Sequence, residues 1–421
     1  MALLTQAPKG TKDVLPSESG RWQYVETILR KTAADFGCRE IRFPTFEHTE
    51  LFERGVGGTT DVVQKEMYTF VDKGGRSISL RPEGTASVAR SFVEHSLDAA
   101  GLPLKCYYIA PNFRYEKPQA GRLREHHQFG VEIFGPEGPD ADAELISLAD
   151  AFLRRLGITN ITVNINSIGC PVCRKDYHKE LYNYFADRKA ELCPTCLDRL
   201  EKNPMRIIDC KSPVCSAIAK DAPKSIDHLC PDCNEHFEGF KTNLEALGVR
   251  YKVNPKIVRG LDYYTRTVFE FISEDIGAQG AVCAGGRYDG LIAEIGGKPM
   301  PGLGFGSGIE RLMMVMEALG VNFPDDDSPA VFLAVIGEAA KKKAAELAHG
   351  LRTAGTSAEY DLMGRSLKAQ MKYADRIKAR YSIVIGDDEV ASGKGRLKDM
   401  ILGGEVEIAL EADDIADKFG L

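Results

Sequence analysis

The chain has 421 residues, 43% hydrophobic and 27% charged, with a formal charge of −7 at pH 7. That balance supplies apolar mass for real cores and excludes an intrinsically disordered chain. The acidic net charge excludes a globally basic coat for nucleic acid, though not a local basic surface; no run approaches the ~18 apolar residues of a membrane span, and the opening MALLTQAPKGTKDVLP does not read as a secretory signal.

In chain order, residues 20–36 have helical spacing, with Trp22, Val25, Ile28 and Leu29 on one side. Short strand-like runs follow: IRF, SISL, KCYYIAPNFRY, HQFGVEIFG and ITVNINS, with a helix expected over 140–156. From 169 to about 248 the composition turns to Cys, Lys, Asp and Leu with little strand signal, which predicts an inserted, mostly helical module. Strand signal resumes at Tyr251 and runs through TVFEFIS. The polar, proline-bearing stretch 322–330 predicts an interdomain linker. Beyond it VFLAVIG, a helical run, YSIVIG and VEIAL alternate as in a small α/β domain. The expected division is 1–168 with 250–325, an insertion at 169–249, and a last domain at 326–421.

There is no G-x-x-x-x-G-K-[ST], and GLGFGSG does not fit G-x-G-x-x-G, so a nucleotide site must be built another way. Residues 126–134, read as a strand, put His127, Phe129, Val131 and Ile133 on one face and Gln128, Gly130 and Glu132 on the other. An amide, a gap and a carboxylate in a row suit a small polar ligand with N–H donors, but on this segment alone a half-exposed strand with a solvated polar face is the favoured reading. The run ending Asn112-Phe113-Arg114-Tyr115-Glu116 is joined to that strand by KPQAGRLRE, a basic hairpin loop suited to phosphate or simply a charged loop. In Gly302-Leu303-Gly304-Phe305-Gly306-Ser307-Gly308, glycine at every second position strips one strand face, a seat for a planar ring such as adenine; the alternative is a flexible linker. The helical run IERLMMVMEAL follows, with Arg311 in its first turn.

Together these features resemble the class II aminoacyl-tRNA synthetases: FRYE matches their second signature motif, G-x-G-x-G-x-G-I-E-R the third, and Phe43-Pro44 after a long helix the weak first one. VRGLDYY at 258–264, AGGRYDG at 284–290 and RPEGT at 81–85 narrow the resemblance to the histidyl-tRNA synthetase family over nearly the whole chain. The resemblance implies an α+β fold: an antiparallel sheet flanked by helices, a helical insertion, and a C-terminal α/β anticodon-binding domain. It also implies a cytoplasmic homodimer that joins L-histidine to tRNA(His) with ATP and Mg²⁺. It assigns catalysis to Arg259 and Arg114, both on the α-phosphate and the amino acid carboxylate. Histidine is expected on Glu83, Gly84, Thr85, Gln128, Glu132, Tyr263, Tyr264 and Tyr288, with Glu132 and Tyr264 at the imidazole. ATP is expected on Glu116, Arg122, Gly304, Gly306 and Arg311, and the tRNA acceptor end on Gln119 and Arg124. A catalytically inactive paralogue that regulates histidine biosynthesis is the nearest rival; it would be expected to lack the last domain and to lose Arg114 or Arg311, whereas this chain keeps all three.

Residues 341–380 hold ten Lys or Arg against four Asp or Glu. Arg365, Lys368, Lys372 and Arg376 form a basic stripe on a helix, beside an apolar stripe of Leu367, Met371, Ala374 and Ile377. Composition leaves this a solvated face or an RNA contact; the resemblance favours RNA.

The insertion departs from the family pattern. Of the chain's 11 cysteines, eight form four close pairs here, Cys170/Cys173, Cys193/Cys196, Cys210/Cys215 and Cys230/Cys233, three of them C-P-x-C. Four pairs suit two Cys₄ zinc sites, matched in any of three ways; free thiols, disulfides or a lost metal are the alternatives. A structural role is expected, in which chelation loosens the insertion and the docking of the tRNA acceptor arm while adenylation survives.

Overall fold

Most strand signals of the first part of the chain gather into one eight-stranded sheet, while SISL (Ser77–Leu80) lies between Phe46–His48 and Thr69–Val71 in a separate three-stranded sheet. The computed structural model describes residues 4–58, 60–273, 280–323 and 328–418. The sheet strands are β1 (Arg39–Glu40), β2 (Leu104–Phe113), β3 (Glu125–Phe134), β4 (Ile161–Ser167), β5 (Tyr251–Val253), β6 (Thr265–Ser273), β7 (Ala281–Arg287) and β8 (Gly302–Gly308). Their order is β1–β2–β3–β8–β7–β6–β4–β5. The central strands pair antiparallel and only the outermost pairs, β1–β2 and β4–β5, are parallel.

Period-two alternation decides which face is covered. Phe129, Val131 and Ile133 of β3 and Leu303 and Phe305 of β8 are buried against Val25 and Leu29 of the helix Pro16–Asp35 and Leu145 and Phe152 of the helix Pro139–Arg155. The second helix starts at a proline, carries Asp140 and Asp142 in its first turn and Arg154 and Arg155 in its last, so its ends complement the helix dipole. Asp142 then turns inward: the wholly buried Arg287 of β7 donates to it at 2.6 Å and to the carbonyls of Pro136 and Gly138. With the helices on one face, the polar face of β3 and the glycine face of β8 are left for the site.

The IRF stretch differs from expectation. The β1 ladder ends at Glu40, and residues 41–43 are not strand. The Phe43 and Pro44 carbonyls are instead taken by the Arg81 guanidinium at 3.0 and 2.9 Å, which fixes the chain there without a ladder. Strand β7 was not foreseen, because AVCAGGR is mostly small residues without alternation.

The insertion is helical: Pro171–Ala186, Pro194–Lys202, Met205–Ile208, Pro213–Ile218 and Pro231–Ala246. Each C-P-x-C is a helix start, with the first cysteine extended at the N-cap and the proline in the first turn.

The chain divides into compact units at 323/324, Met1–Phe323 and Pro324–Leu421, rather than at 325/326. Of the expected linker, 324–327 lie outside the described residues. The second unit holds strands β9 (Val331–Val335), β10 (Ala358–Tyr360), β11 (Tyr381–Ile385), β12 (Lys394–Asp399) and β13 (Glu405–Ala409), ordered β10–β9–β11–β12–β13. Its helix Leu367–Arg376 buries Ala374 and Gln370, and the Gln370 amide bonds both the N–H and the C=O of Val335 at 2.8 Å. Lys368, Lys372 and Arg376 lie exposed on the helix, while Arg365 pairs with Asp361 at 2.8 Å.

Candidate active site

A cavity of about 320 Å³ opens over the polar faces of β3, β7 and β8. Its wall draws Arg114 and Arg122 from the hairpin, Arg259 from the 259–264 segment, and Arg311 from the helix Ile309–Ala318. Glu83, Thr85, Gln128, Tyr263 and Tyr264 line it as well. Guanidinium groups converging from separate elements stay charged at any physiological pH and, with four carboxylates sharing the wall, offer fixed fork-shaped donors for phosphate oxygens.

Each group is held by identifiable partners. Arg114 Nε donates to the Pro82 carbonyl at 2.8 Å, and its head lies 3.9 Å from Glu116. Arg122 is ion-paired with Glu116. Arg259 Nη1 meets Glu270 at 2.6 Å, its guanidinium lies 5.4 Å from the centre of the Tyr264 ring, and its buried Nε has no partner among the described residues. Arg311 donates to the Gly121 and Ala281 carbonyls at 3.0 and 2.8 Å, which ties the helix start to the hairpin tip. Glu83 accepts the Thr85 and Ala86 N–H groups at 2.7 and 2.8 Å, satisfying the start of the helix Thr85–Glu94; burial raises its carboxyl pKa, against those hydrogen bonds.

Glu132, Tyr288 and Gly84 do not line the cavity, contrary to the expected direct contacts. Glu132 is fully buried behind the wall. Its carboxylate accepts the Thr85 hydroxyl at 2.7 Å and the Tyr288 hydroxyl. Burial pushes its pKa up to about 8, opposed by those hydroxyls. The half-exposed reading of this strand face therefore fails at Glu132, while His126 and Gln128 of the same face are half-buried on the cavity wall. Tyr288 stacks edge-on to Tyr263, with ring centres 5.5 Å apart. Gly84 leaves room for the buried Tyr108 ring, since a Cβ there would lie 2.3 Å from it.

The glycine strand also differs from the bare seat expected of it. A Cβ on Gly304 would lie 1.9 Å from the Glu132 carboxylate, and one on Gly306 1.8 Å from the Gln128 amide. The register puts Gly304 directly opposite Glu132, while Gly306 lies opposite Gly130 and the Gln128 side chain, opposite Gly308, reaches diagonally over Gly306. These two glycines make space for side chains of β3. Gly304 is off the cavity wall and Gly306 is on it; Gly308 also lines the cavity, with nothing within 4 Å of where its Cβ would be, and it offers the open flat position.

Gln119 sits at the exposed hairpin tip, exchanging backbone hydrogen bonds with Arg122 at 3.0 and 2.9 Å. Arg124 turns away from the cavity, stacking 3.8 Å from the centre of the Tyr115 ring. Three titratable wall residues escaped sequence reasoning. His126 shares the β3 face with Gln128, so alternation pointed to it; burial and then Arg114 and Arg311 depress its pKa to about 3, leaving it neutral. Glu270 alternates with Phe269 and Phe271 in β6, a signal that was available. Glu310 accepts the His127 N–H at 2.9 Å, a pairing across distant elements that sequence does not reveal.

The insertion cysteines converge in two groups, Cys170, Cys173, Cys230 and Cys233, and Cys193, Cys196, Cys210 and Cys215, each with all sulfurs within 4.8 Å of one another. Either group could hold a metal ion. Among the described residues no helix is long and apolar enough to cross a membrane.

A family model described as histidyl-tRNA synthetase matches residues 10–171 and 214–312, and one described as anticodon binding domain matches 330–419. The histidine–tRNA ligase of Acetivibrio thermocellus is 58% identical over 409 residues, covering 97% of this chain and 98% of that protein. The crystal structure of apo S. aureus histidyl-tRNA synthetase superposes with a TM-score of 0.84 at 36% identity, covering 99% of this chain and 100% of that one. An ATP phosphoribosyltransferase regulatory subunit/histidyl-tRNA synthetase of Bacillus halodurans C shares the fold at TM-score 0.65 and 22% identity, covering 92% of this chain and 99% of that one. The synthetase model leaves out 172–213, the stretch that carries Cys173, Cys193, Cys196 and Cys210.

Proposed function

The chain belongs to the histidyl-tRNA synthetase family and activates histidine with ATP for transfer to tRNA(His), and we propose that the arginine-walled cavity is where it does so. The observation that carries this assignment is the convergence of Arg114, Arg122, Arg259 and Arg311 on a cavity that Glu83, Thr85, Gln128 and the Tyr263–Tyr264 pair also line. The regulatory paralogue is not favoured, because full-length relatives at 55–58% identity are named histidine–tRNA ligases and the anticodon-binding domain matches 330–419.

In the first step the histidine carboxylate attacks the α-phosphorus of ATP. A carboxylate–phosphorus bond forms as the bond to the β-phosphate bridging oxygen breaks, and pyrophosphate leaves. Charge builds on the non-bridging oxygens, so positioned cations are the main catalytic resource. Arg114 and Arg259 supply them. Glu270 and the Tyr264 ring fix the Arg259 head in advance, and its unpartnered Nε keeps a donor for the ligand. Arg122 exchanges Glu116 for the phosphate tail, Arg311 and Gly308 flank the base, and Glu116 orients it. ATP enters as its magnesium complex; the wall carboxylates Glu83, Glu116, Glu270 and Glu310 are each engaged by N–H groups, Arg or His, which suits a metal carried on phosphates.

Histidine's ammonium is met by Glu83 and Gln128 and its imidazole by Tyr263 and Tyr264. Glu132 acts from behind the wall, fixing Thr85 and Tyr288 and favouring an N–H donor in front of them. A pocket committed to hydrogen-bonding a polar side chain rejects apolar analogues strongly. In the second step a 3′-terminal ribose hydroxyl of tRNA takes the histidyl group and AMP leaves. Gln119 and Arg124 serve the acceptor end, and Lys368, Lys372 and Arg376 the anticodon stem. The same reading includes a homodimer, a cytoplasmic setting and zinc in the cysteine groups. Charging assays with purified chain, ATP and a tRNA(His) transcript test it: histidine should be esterified to the transcript, and no charging would overturn the reading.

A further inference from the structure

The segment 259–264 carries Arg259, Tyr263 and Tyr264 but belongs to no helix or strand. Its backbone acceptors must find partners elsewhere, and three side chains of the insertion grip it. Arg206 Nη1 donates to the Arg259 carbonyl at 2.6 Å, and Arg174 Nη1 to the Tyr264 carbonyl at 3.0 Å. Between them, Asn203 Nδ2 donates to Asp262 at 3.2 Å. The grip is reinforced from the other side, where Arg199 and Arg206 lie 2.8 and 3.9 Å from Asp61.

The two arginines sit beside the two cysteine groups. Arg174 directly follows Cys173, and Arg206 lies between Cys196 and Cys210. Within the groups, Cys170 and Cys173 sulfurs are 3.7 Å apart, Cys170 and Cys230 3.9 Å, Cys173 and Cys233 3.8 Å, and Cys193 and Cys210 3.9 Å. A disulfide needs about 2.05 Å. A tetrahedron with Zn–S bonds of about 2.3 Å has sulfur–sulfur edges of about 3.8 Å. The groups therefore have the size of a thiolate tetrahedron. The Cys193 N–H also points at the Cys215 sulfur at 3.2 Å, an amide donor to a metal-bound thiolate.

We propose that both groups are structural zinc sites and that they clamp the two ends of the 259–264 segment, through Arg174 at Tyr264 and Arg206 at Arg259. The proposal rests on the assignment of Arg259 and Tyr264 to the active site. Each zinc closes a loop across distant cysteines and so fixes the helix from which its arginine reaches. Arg174 and Arg206 are positioning residues and touch no substrate. The expectation that adenylation survives chelation is accordingly replaced: metal loss reaches the first chemical step.

The test uses the full chain purified under reducing conditions. Native mass spectrometry should find two zinc ions per chain; metal-free protein, or iron in their place, would overturn the metal assignment. Arg206→Met should retain both zinc ions and a single cooperative thermal transition. It should lower kcat for ATP–pyrophosphate exchange about tenfold or more with KM for histidine within about twofold, since displaced catalytic groups cost rate. Arg174→Met should act chiefly on KM for histidine, and Arg206→Lys should recover part of the lost kcat. Wild-type kcat in Arg206→Met, or equal changes in kcat and KM in both variants, would overturn the clamp. Wild-type chain that shows no histidine-dependent exchange would instead overturn the active-site reading beneath it.

Discussion

Arg259→Ala is the sharpest probe of the mechanism. The side chain is 18% exposed and its partner Glu270 is 26% exposed. Glu270 lines the cavity and so keeps access to water once its partner is removed, which limits the loss to folding. The catalytic loss is expected to be much larger. Removing one fixed donor to a developing oxyanion costs about 10²–10³ in kcat, or about 2.7–4 kcal/mol. The folding and catalytic effects therefore separate. Histidine affinity should fall little by comparison, because Arg259 acts mostly on charge that develops during phosphoryl transfer. Rapid-quench measurement of adenylate formation gives the rate, calorimetry the histidine affinity, and thermal melting the stability. Comparable losses in rate and affinity would refute the reasoning and make Arg259 a ground-state binding group.

Glu132→Gln should weaken histidine binding by about 1 kcal/mol, because it loosens the Thr85 and Tyr288 hydroxyls that Glu132 holds from behind the wall; unchanged calorimetric affinity would detach Glu132 from the pocket. The same variant reports linkage: the Glu132 pKa is raised in the fold from 4.5 to about 8, so its stabilising contribution is present below pH 4.5 and is lost as pH rises through about 8. Wild type should therefore lose stability relative to Glu132→Gln between pH 5 and 9 in thermal melts, and a pH-independent difference would contradict that. Gly304→Ala should destabilise by about 1–3 kcal/mol, because besides the mobile Glu132 carboxylate its Cβ would meet the Val131 carbonyl at 2.5 Å, which is backbone and cannot swing away; an unchanged denaturation midpoint would count against the tight β3–β8 contact. Lys368→Ala with Lys372→Ala should weaken tRNA binding and lower the magnitude of the log–log salt slope by about 0.7–0.9 per lysine, read by filter binding at several salt concentrations; an unaltered slope would remove this helix from the RNA surface.

Much of the site was legible because its strands obey simple rules. Alternation in β3 separated Phe129, Val131 and Ile133 from Gln128 and Glu132, and the fold buries the first set against helices. The depth of Glu132 was not legible. It depends on which strand lies alongside: the β3–β8 register puts Gly304 opposite Glu132, and only the side-chain packing shows that Gly306 is the seat for Gln128. The cysteine pairs were visible as C-P-x-C turns, yet their matching is tertiary: Cys170 meets Cys230 across the whole insertion. Strand β7 was hidden by its small residues. The arginines of the clamp carry no local signature, since the carbonyls of Arg259 and Tyr264 that they bond are remote in sequence.

The central claim is that this cavity activates histidine and no other amino acid. Amino-acid-dependent ATP–pyrophosphate exchange, run without tRNA on purified chain across the standard amino acids, tests it most directly. The account predicts exchange with histidine alone, abolished by Arg114→Ala and strongly reduced by Arg259→Ala. Exchange driven by another amino acid, or histidine-dependent exchange untouched by both substitutions, would contradict it.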